Sequence, residues 1–346
     1  MFRQTPKFKT QRPWIAKAIL KVKREQGYTL IELLVAILIA GIVITPLLGL
    51  AMNLLRTDQQ EQAKATSEQE IQDAANYIAR DLEQAVFIYD NQGLSNAGIQ
   101  NEIPPNQSVG VCNNADTCKP VLVFWKRKPV KDAIPIDYLN EEDQGSDCTD
   151  ENNADICDDT FVYSLVAYYL IEDQDNNNVW SNTARIGRFE VSDGVNVGGV
   201  LLEDAVEERD DGFAPFECQI GESVADCLRT WNKASTEYSA NSLDILIDFV
   251  DQSSEDTLLG ECPEYDLPED QRTWSTRIPP NLNNFPTSFY ACVKNDSPPY
   301  VARFYLRGNA LARIRPEDNP PTYSEGRSAY FPEIQTEVSA KGRFVP

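Results

Sequence analysis

The stretch Gly27-Tyr28-Thr29-Leu30-Ile31-Glu32-Leu33-Leu34-Val35-Ala36-Ile37-Leu38 decides how the rest of the chain is read. From Leu33 to Leu55 the sequence is apolar, interrupted only by Gly41, Thr45, Pro46, Gly49 and Asn53. At about 1.5 Å per helical residue, this run is long enough to cross roughly 30 Å of hydrocarbon. It is too long for the apolar region of a cleaved secretory signal and does not end in a small-residue cleavage site. Residues 1–27 hold eight Lys or Arg residues against Glu25 alone, a cationic flank that holds the N-terminus in the cytoplasm and sends everything after Leu55 outside. Glu32, at the cytoplasmic edge of the run, is the residue a plain anchor does not explain. An acidic group entering a membrane helix is costly and marks a site with a partner.

Charge separates the two ends of the 346-residue chain. Residues 1–27 carry +7, which leaves −30 for the remainder of a chain whose total is −23. A part that acidic repels phosphate backbones, so nucleic acid is excluded as a partner. No histidine occurs, which removes Ser-His-Asp and Cys-His catalysis and any histidine-containing zinc site within this chain. Nucleophile elbow, phosphate loop and dinucleotide fingerprint are also missing, and paired carboxylates are uninformative among so many Asp and Glu residues. The reading is of a non-enzyme.

The segment GYTLIELLVAILIAGIVI resembles the signal of type IV prepilins and pseudopilins. The resemblance implies that a prepilin peptidase/methyltransferase cuts after Gly27, that Tyr28 becomes the N-methylated new N-terminus, and that Glu32 is the fifth residue of the mature chain. Glu32 of one subunit would then neutralise the ammonium of a neighbour's Tyr28, an attraction that is strong where both charges are desolvated together. Tyr replaces the usual Phe at the new N-terminus, and the leader is longer than in many pilins. Pro46 becomes the nineteenth mature residue, near where many pilins carry a proline, and a kink or locally melted stretch is expected there.

Beyond the membrane run, residues 57–90 lack Pro and Gly and place Ile71, Ala74, Ile78, Leu82, Ala85 and Tyr89 on one helical face. A single helix is therefore expected from Tyr28 to near Tyr89, with Arg80, Asp81 and Glu83 on a solvated or interface face. Strands are expected at Val121–Lys126, Phe161–Ile171, Val179–Val191, Leu243–Val250 and Tyr300–Ile314, the second and third forming a hairpin. Residues 91–120 and 251–289 read as loops, and 137–159 as an acidic exposed insertion. The expected class is α+β: a pilin-like long N-terminal helix laid on an antiparallel sheet with disulfide-tied insertions. The expected divisions are a leader at 1–27, a transmembrane half-helix at 28–55, an amphipathic half-helix at 56–90, a globular domain at 91–315 and a poorly ordered polar tail at 316–346.

All eight cysteines follow the membrane run, which points to disulfides in an oxidising compartment. Sequence neighbours suggest Cys112 with Cys118, Cys148 with Cys157, Cys218 with Cys227 and Cys262 with Cys292, although eight cysteines leave many other connectivities open. The run with Asp173, Asp175 and Asn177 places oxygen ligands at alternating positions, as calcium loops do. Asn178 and Ala184 stand where an EF-hand would need Gly and Glu, so an ordinary Asp/Asn turn competes with a calcium site. No other cofactor is expected.

A chain this large resembles the minor subunits of type II secretion and type IV pilus-like filaments more than the abundant ones. The segments PLLGLAMNLL, YIARDLEQAVFIYD, FYACV and ARFYLRGNALARI are similar to the hormogonium polysaccharide secretion pseudopilins of cyanobacteria. That resemblance implies an inner-membrane subunit that joins other pilins or pseudopilins on an assembly platform, reaches the filament or cell surface, and supports polysaccharide export and gliding motility. An adhesive minor pilin and a static membrane-tethered binding domain are the alternatives.

Overall fold

The computed structural model describes residues 27–95, 98–135, 148, 157–172, 179–197, 200–202, 206–219, 221–254, 260–264, 266–268, 271–280, 285–315 and 320–343. Helix α1 runs without a break from Leu30 to Glu83, with Pro46 inside it. No melted stretch is seen at Pro46. Proline removes a backbone donor, and the hydroxyl of the residue before it, Thr45, donates to the Gly41 carbonyl (2.7 Å), a side-chain bond in this stretch. The chain divides into two compact units after Arg56. In the first, every described residue of α1 is exposed, as an apolar span without its lipid must be.

In the second unit, α1 buries Ser67, Ile71, Ala74, Ala75, Ile78, Asp81 and Leu82, confirming the face read from the spacing of Ile71, Ala74, Ile78 and Leu82. The helix stops earlier than expected. Gln84 N bonds to the Asp81 carbonyl (3.1 Å), and Ala85–Ile88 becomes strand β1, with all four residues buried. A short continuous apolar run of this kind fits a helix or a strand covered on both faces equally well by pattern, and its β-branched and aromatic residues tip it to strand.

The remaining elements are α2 (Asn91–Ser95), β2 (Cys118–Pro135), β3 (Cys157–Ile171), β4 (Ala184–Ser192), β5 (Asn196–Val197), β6 (Val200–Leu201), α3 (Val224–Arg229), β7 (Leu243–Val250), β8 (Phe289–Lys294), β9 (Val301–Arg307), α4 (Ala310–Ile314) and β10 (Glu333–Ser339). Strands β1-β2-β3-β4-β7 form a five-stranded antiparallel sheet; β10-β9-β8 form a second one, and β5-β6 a short ribbon. Bonds from Asp251 N to the Arg307 carbonyl (3.0 Å) and from Asn309 N to the Phe249 carbonyl (2.8 Å) join the end of β7 to the end of β9. The α+β class is confirmed: a long N-terminal helix, antiparallel sheets and disulfides.

Several boundaries differ from the expected ones. The strand expected at Val121–Lys126 extends in both directions, because β3 offers a long partner from Cys157 to Ile171. Residues 179–183 lie outside β4; there Ser181 bonds through its N–H (2.8 Å) and its hydroxyl (2.6 Å) to Asp248. The strand expected over Tyr300–Ile314 ends at Arg307, where Gly308 turns the chain and Asn309 caps α4 by accepting from Ala312 N (3.1 Å). Gly308 has a second reason to lack a side chain, since a Cβ there would lie 2.8 Å from Ile71 Cγ1 on α1.

Residues 320–343 of the tail are also structured. β10 pairs along β9 from Glu333↔Arg307 to Ser339↔Val301, a backbone interaction that polar side chains do not oppose on an edge strand. Beyond it, Lys341 N donates to the Glu83 carbonyl (2.9 Å) and Gly342 N to the Ala85 carbonyl (3.0 Å), tying the C-terminal segment to the junction of α1 and β1. Most of the acidic 137–159 insertion lies outside the described residues.

Candidate processing and assembly site

The start of α1 is built by Thr29. Glu32 N and Leu33 N bond to the Thr29 carbonyl (3.0 and 3.1 Å), and Glu32 N also approaches the Thr29 hydroxyl at 3.4 Å. With Leu30 the first helical residue, Thr29-Leu30-Ile31-Glu32 has the T-x-x-E form of a capping box, in which Ser or Thr caps and Glu stands three residues on. Glu32 therefore sits where the helix dipole favours a negative charge. Thr29 was missed in reading the sequence, although the T-x-x-E pattern was there to find it. Just before the cap, Tyr28 is 79% exposed and a Cβ added at Gly27 would meet nothing within 4 Å, so the bond between them is sterically open.

Residues 22–48 match the prokaryotic N-terminal methylation motif. The motif contains Gly27, Tyr28, Thr29 and Glu32, and with the apolar helix behind it supports a membrane-anchored, type IV pilin-like chain. It implies processing by a prepilin peptidase and assembly with other pilins. No curated protein and no solved structure matches the chain.

Outside the motif, the cysteines pair Cys112–Cys118, Cys148–Cys157, Cys218–Cys227 and Cys262–Cys292, as sequence neighbours suggested. Asp173, Asp175 and Asn177 lie outside the described residues. Among the described residues, no group of three or more Cys, Asp or Glu side chains is placed to hold a metal.

Of the residues expected on a solvated or interface face of α1, Asp81 takes the interface, being only 7% exposed. Its carboxylate receives Lys126 Nζ from β2 (3.0 Å), Tyr168 Oη from β3 (2.6 Å) and Arg188 Nε from β4 (2.8 Å). Glu190 on β4 pairs with the same two cations, at 2.9 Å from Lys126 and 2.5 Å from Arg188. Burial pushes both carboxyls up, but Lys126 and Arg188 override it and hold Asp81 and Glu190 below the usual carboxylate range. Burial, with the Asp81 charge beside it, drives the Tyr168 hydroxyl well above its ordinary value and keeps it a donor. Three adjacent strands thus hold one residue of α1, fastening the helix to the sheet through charge as well as apolar contact.

Proposed function

We propose that the chain is a minor, non-catalytic subunit of a type II secretion or type IV pilus-like filament that supports polysaccharide export and gliding motility. The observation that carries this reading is the methylation motif, with its open Gly27–Tyr28 bond and Glu32 on the first turn, at the head of a helix continuous to Glu83. After cleavage, the Tyr28 ammonium of one subunit meets Glu32 of the next, while the leader stays in the cytoplasm and the disulfide-bearing domain stands outside. An inner-membrane platform then draws the subunit out of the bilayer into a short filament.

Peptide mass analysis of protein recovered from native membranes tests the first half of this reading: the N-terminal peptide begins at N-methylated Tyr28, and an uncut Met1 terminus would overturn it. Deleting the gene tests the second half. Loss of secreted polysaccharide with pili intact supports export, whereas normal export with lost attachment would replace it with adhesion.

A further inference from the structure

Three hollows in the second unit share lining residues at the start of α2. The first, about 340 Å³, lies between Asp90, Gln92, Trp274, Thr276 and Asp296. The second, about 240 Å³, shares Asp90 and Gln92 and continues toward Gly98 and Arg229. The third, about 280 Å³, shares Asn91 with the first and extends toward Asp116, Lys119 and Pro279. The shared residues make them neighbouring stations around one five-residue stretch instead of scattered dimples.

Their walls are fixed before any ligand arrives. Asn91 Nδ2 donates to Thr276 Oγ1 (2.9 Å), and Asn295 Nδ2 to the Ile88 carbonyl (3.2 Å). Ser275 exchanges bonds with Val293 on β8, N–H to carbonyl at 2.7 Å and Oγ from Val293 N at 2.9 Å. Trp274 is half-buried, backed by the cluster of Tyr290, Tyr305 and the Cys262–Cys292 disulfide. Cys112–Cys118 stiffens the wall of the third hollow. Walls already ordered lose little freedom on binding.

The chemistry selects among ligand classes. Asp90, Asp116 and Asp296 are matched by Lys119, Arg229 and Arg272, so the groove carries no net charge in a chain with 54 acidic and 31 basic residues. That balance disfavours a polyanion or a cation. Amide side chains such as Gln92 both donate and accept, carboxylates accept, and an indole adds an apolar plane with one polar edge. Rings carrying hydroxyls on their rim and C–H groups on their faces need that combination, and three adjoining hollows offer room for more than one such ring. The geometry points to a binding groove for a neutral glycan chain, centred on Gln92 and Trp274. This deepens the export reading, on which it rests, by giving the subunit a direct contact with its cargo.

The test uses the full chain in detergent micelles and a panel of neutral linear hexasaccharides of gluco, galacto and manno configuration, read by calorimetry and tryptophan fluorescence. At least one is expected to bind and perturb the fluorescence. Q92A and W274A are expected to weaken it at least about tenfold, which corresponds to about 1.4 kcal/mol, and exposed Gln92 allows its variant to keep the wild-type melting temperature. Binding by none of the panel, or equal binding by wild type and Q92A, overturns the groove. Polysaccharide secretion in the deletion strain separates the two claims: export that persists without the gene removes the cargo reading even if the groove binds, and export lost in the deletion but intact with Q92A and W274A removes the groove alone.

Discussion

Asp81 on the last turns of α1 and Arg188 on β4 share an ion pair of 2.8 Å, although 107 residues separate them in sequence. The carboxylate also serves Lys126 and Tyr168, so its removal leaves two cations to share Glu190 and a buried hydroxyl without its acceptor. Breaking one side of a buried pair costs about 3–5 kcal/mol. Asp81→Ala is expected to destabilise the full chain by that order in chemical denaturation, whereas Glu83→Ala, which loses only the exposed contact with Lys341, is expected to change it by under about 1 kcal/mol. Equal losses would show that the network contributes little.

Acid stability follows from the same cluster. Asp81 and Glu190 have depressed pKa values in the folded chain, so their contribution is complete above their unfolded values near about 4 and is lost as pH falls through the folded ones. The melting temperature is expected to be flat through neutrality and to drop below about pH 4. Lys126→Met weakens the depression of both carboxyls, so the variant should start less stable at neutral pH and lose less melting temperature on acidification than wild type. A drop of unchanged size would assign acid sensitivity to other carboxylates.

The disulfides should differ in what they contribute. Cys262–Cys292 spans 30 positions and Cys112–Cys118 only 6. Loop-closure entropy assigns about 3.6 kcal/mol to the former and about 2.2 kcal/mol to the latter. Paired Cys→Ala variants measured by denaturant unfolding are expected to rank in that order. A reversed ranking would mean that contacts around the short bridge outweigh its small loop.

Glu32→Ala and Gly27→Leu separate assembly from processing. The first is expected to insert and be cleaved normally but to be depleted at least about tenfold from sheared filaments; the second is expected to keep its leader, as N-terminal peptide mass would show. The tenfold figure corresponds to the loss of about 1.4 kcal/mol of subunit attraction. Normal recovery of Glu32→Ala in filaments would overturn the pairing of Glu32 with Tyr28 and leave only its place near the helix N-terminus.

The N-terminal half of this architecture was legible because it rests on local rules: an apolar run of membrane length, a motif at fixed offsets and a period of three to four residues. Asp81 shows why the rest was not. Its spacing from Ala74 and Ile78 puts it at the edge of the apolar face, but an acidic residue there reads as solvated because its partners Lys126, Tyr168 and Arg188 become neighbours only once β2, β3 and β4 have paired. The tail failed for a related reason. Glu333–Ser339 reads as polar and unattached until the β9 edge is present to pair with it. Gln92 and Trp274 are far apart in sequence and meet only because the Cys262–Cys292 loop folds back toward the end of β1.

The bonds from Lys341 and Gly342 to Glu83 and Ala85 give the second unit a seam where its last residues rejoin the base of the helix. In a subunit drawn by its helix, as proposed above, tension reaching Glu83 would have two routes, onward along the chain through β1 into the five-stranded sheet and across these hydrogen bonds through β10 into the three-stranded one.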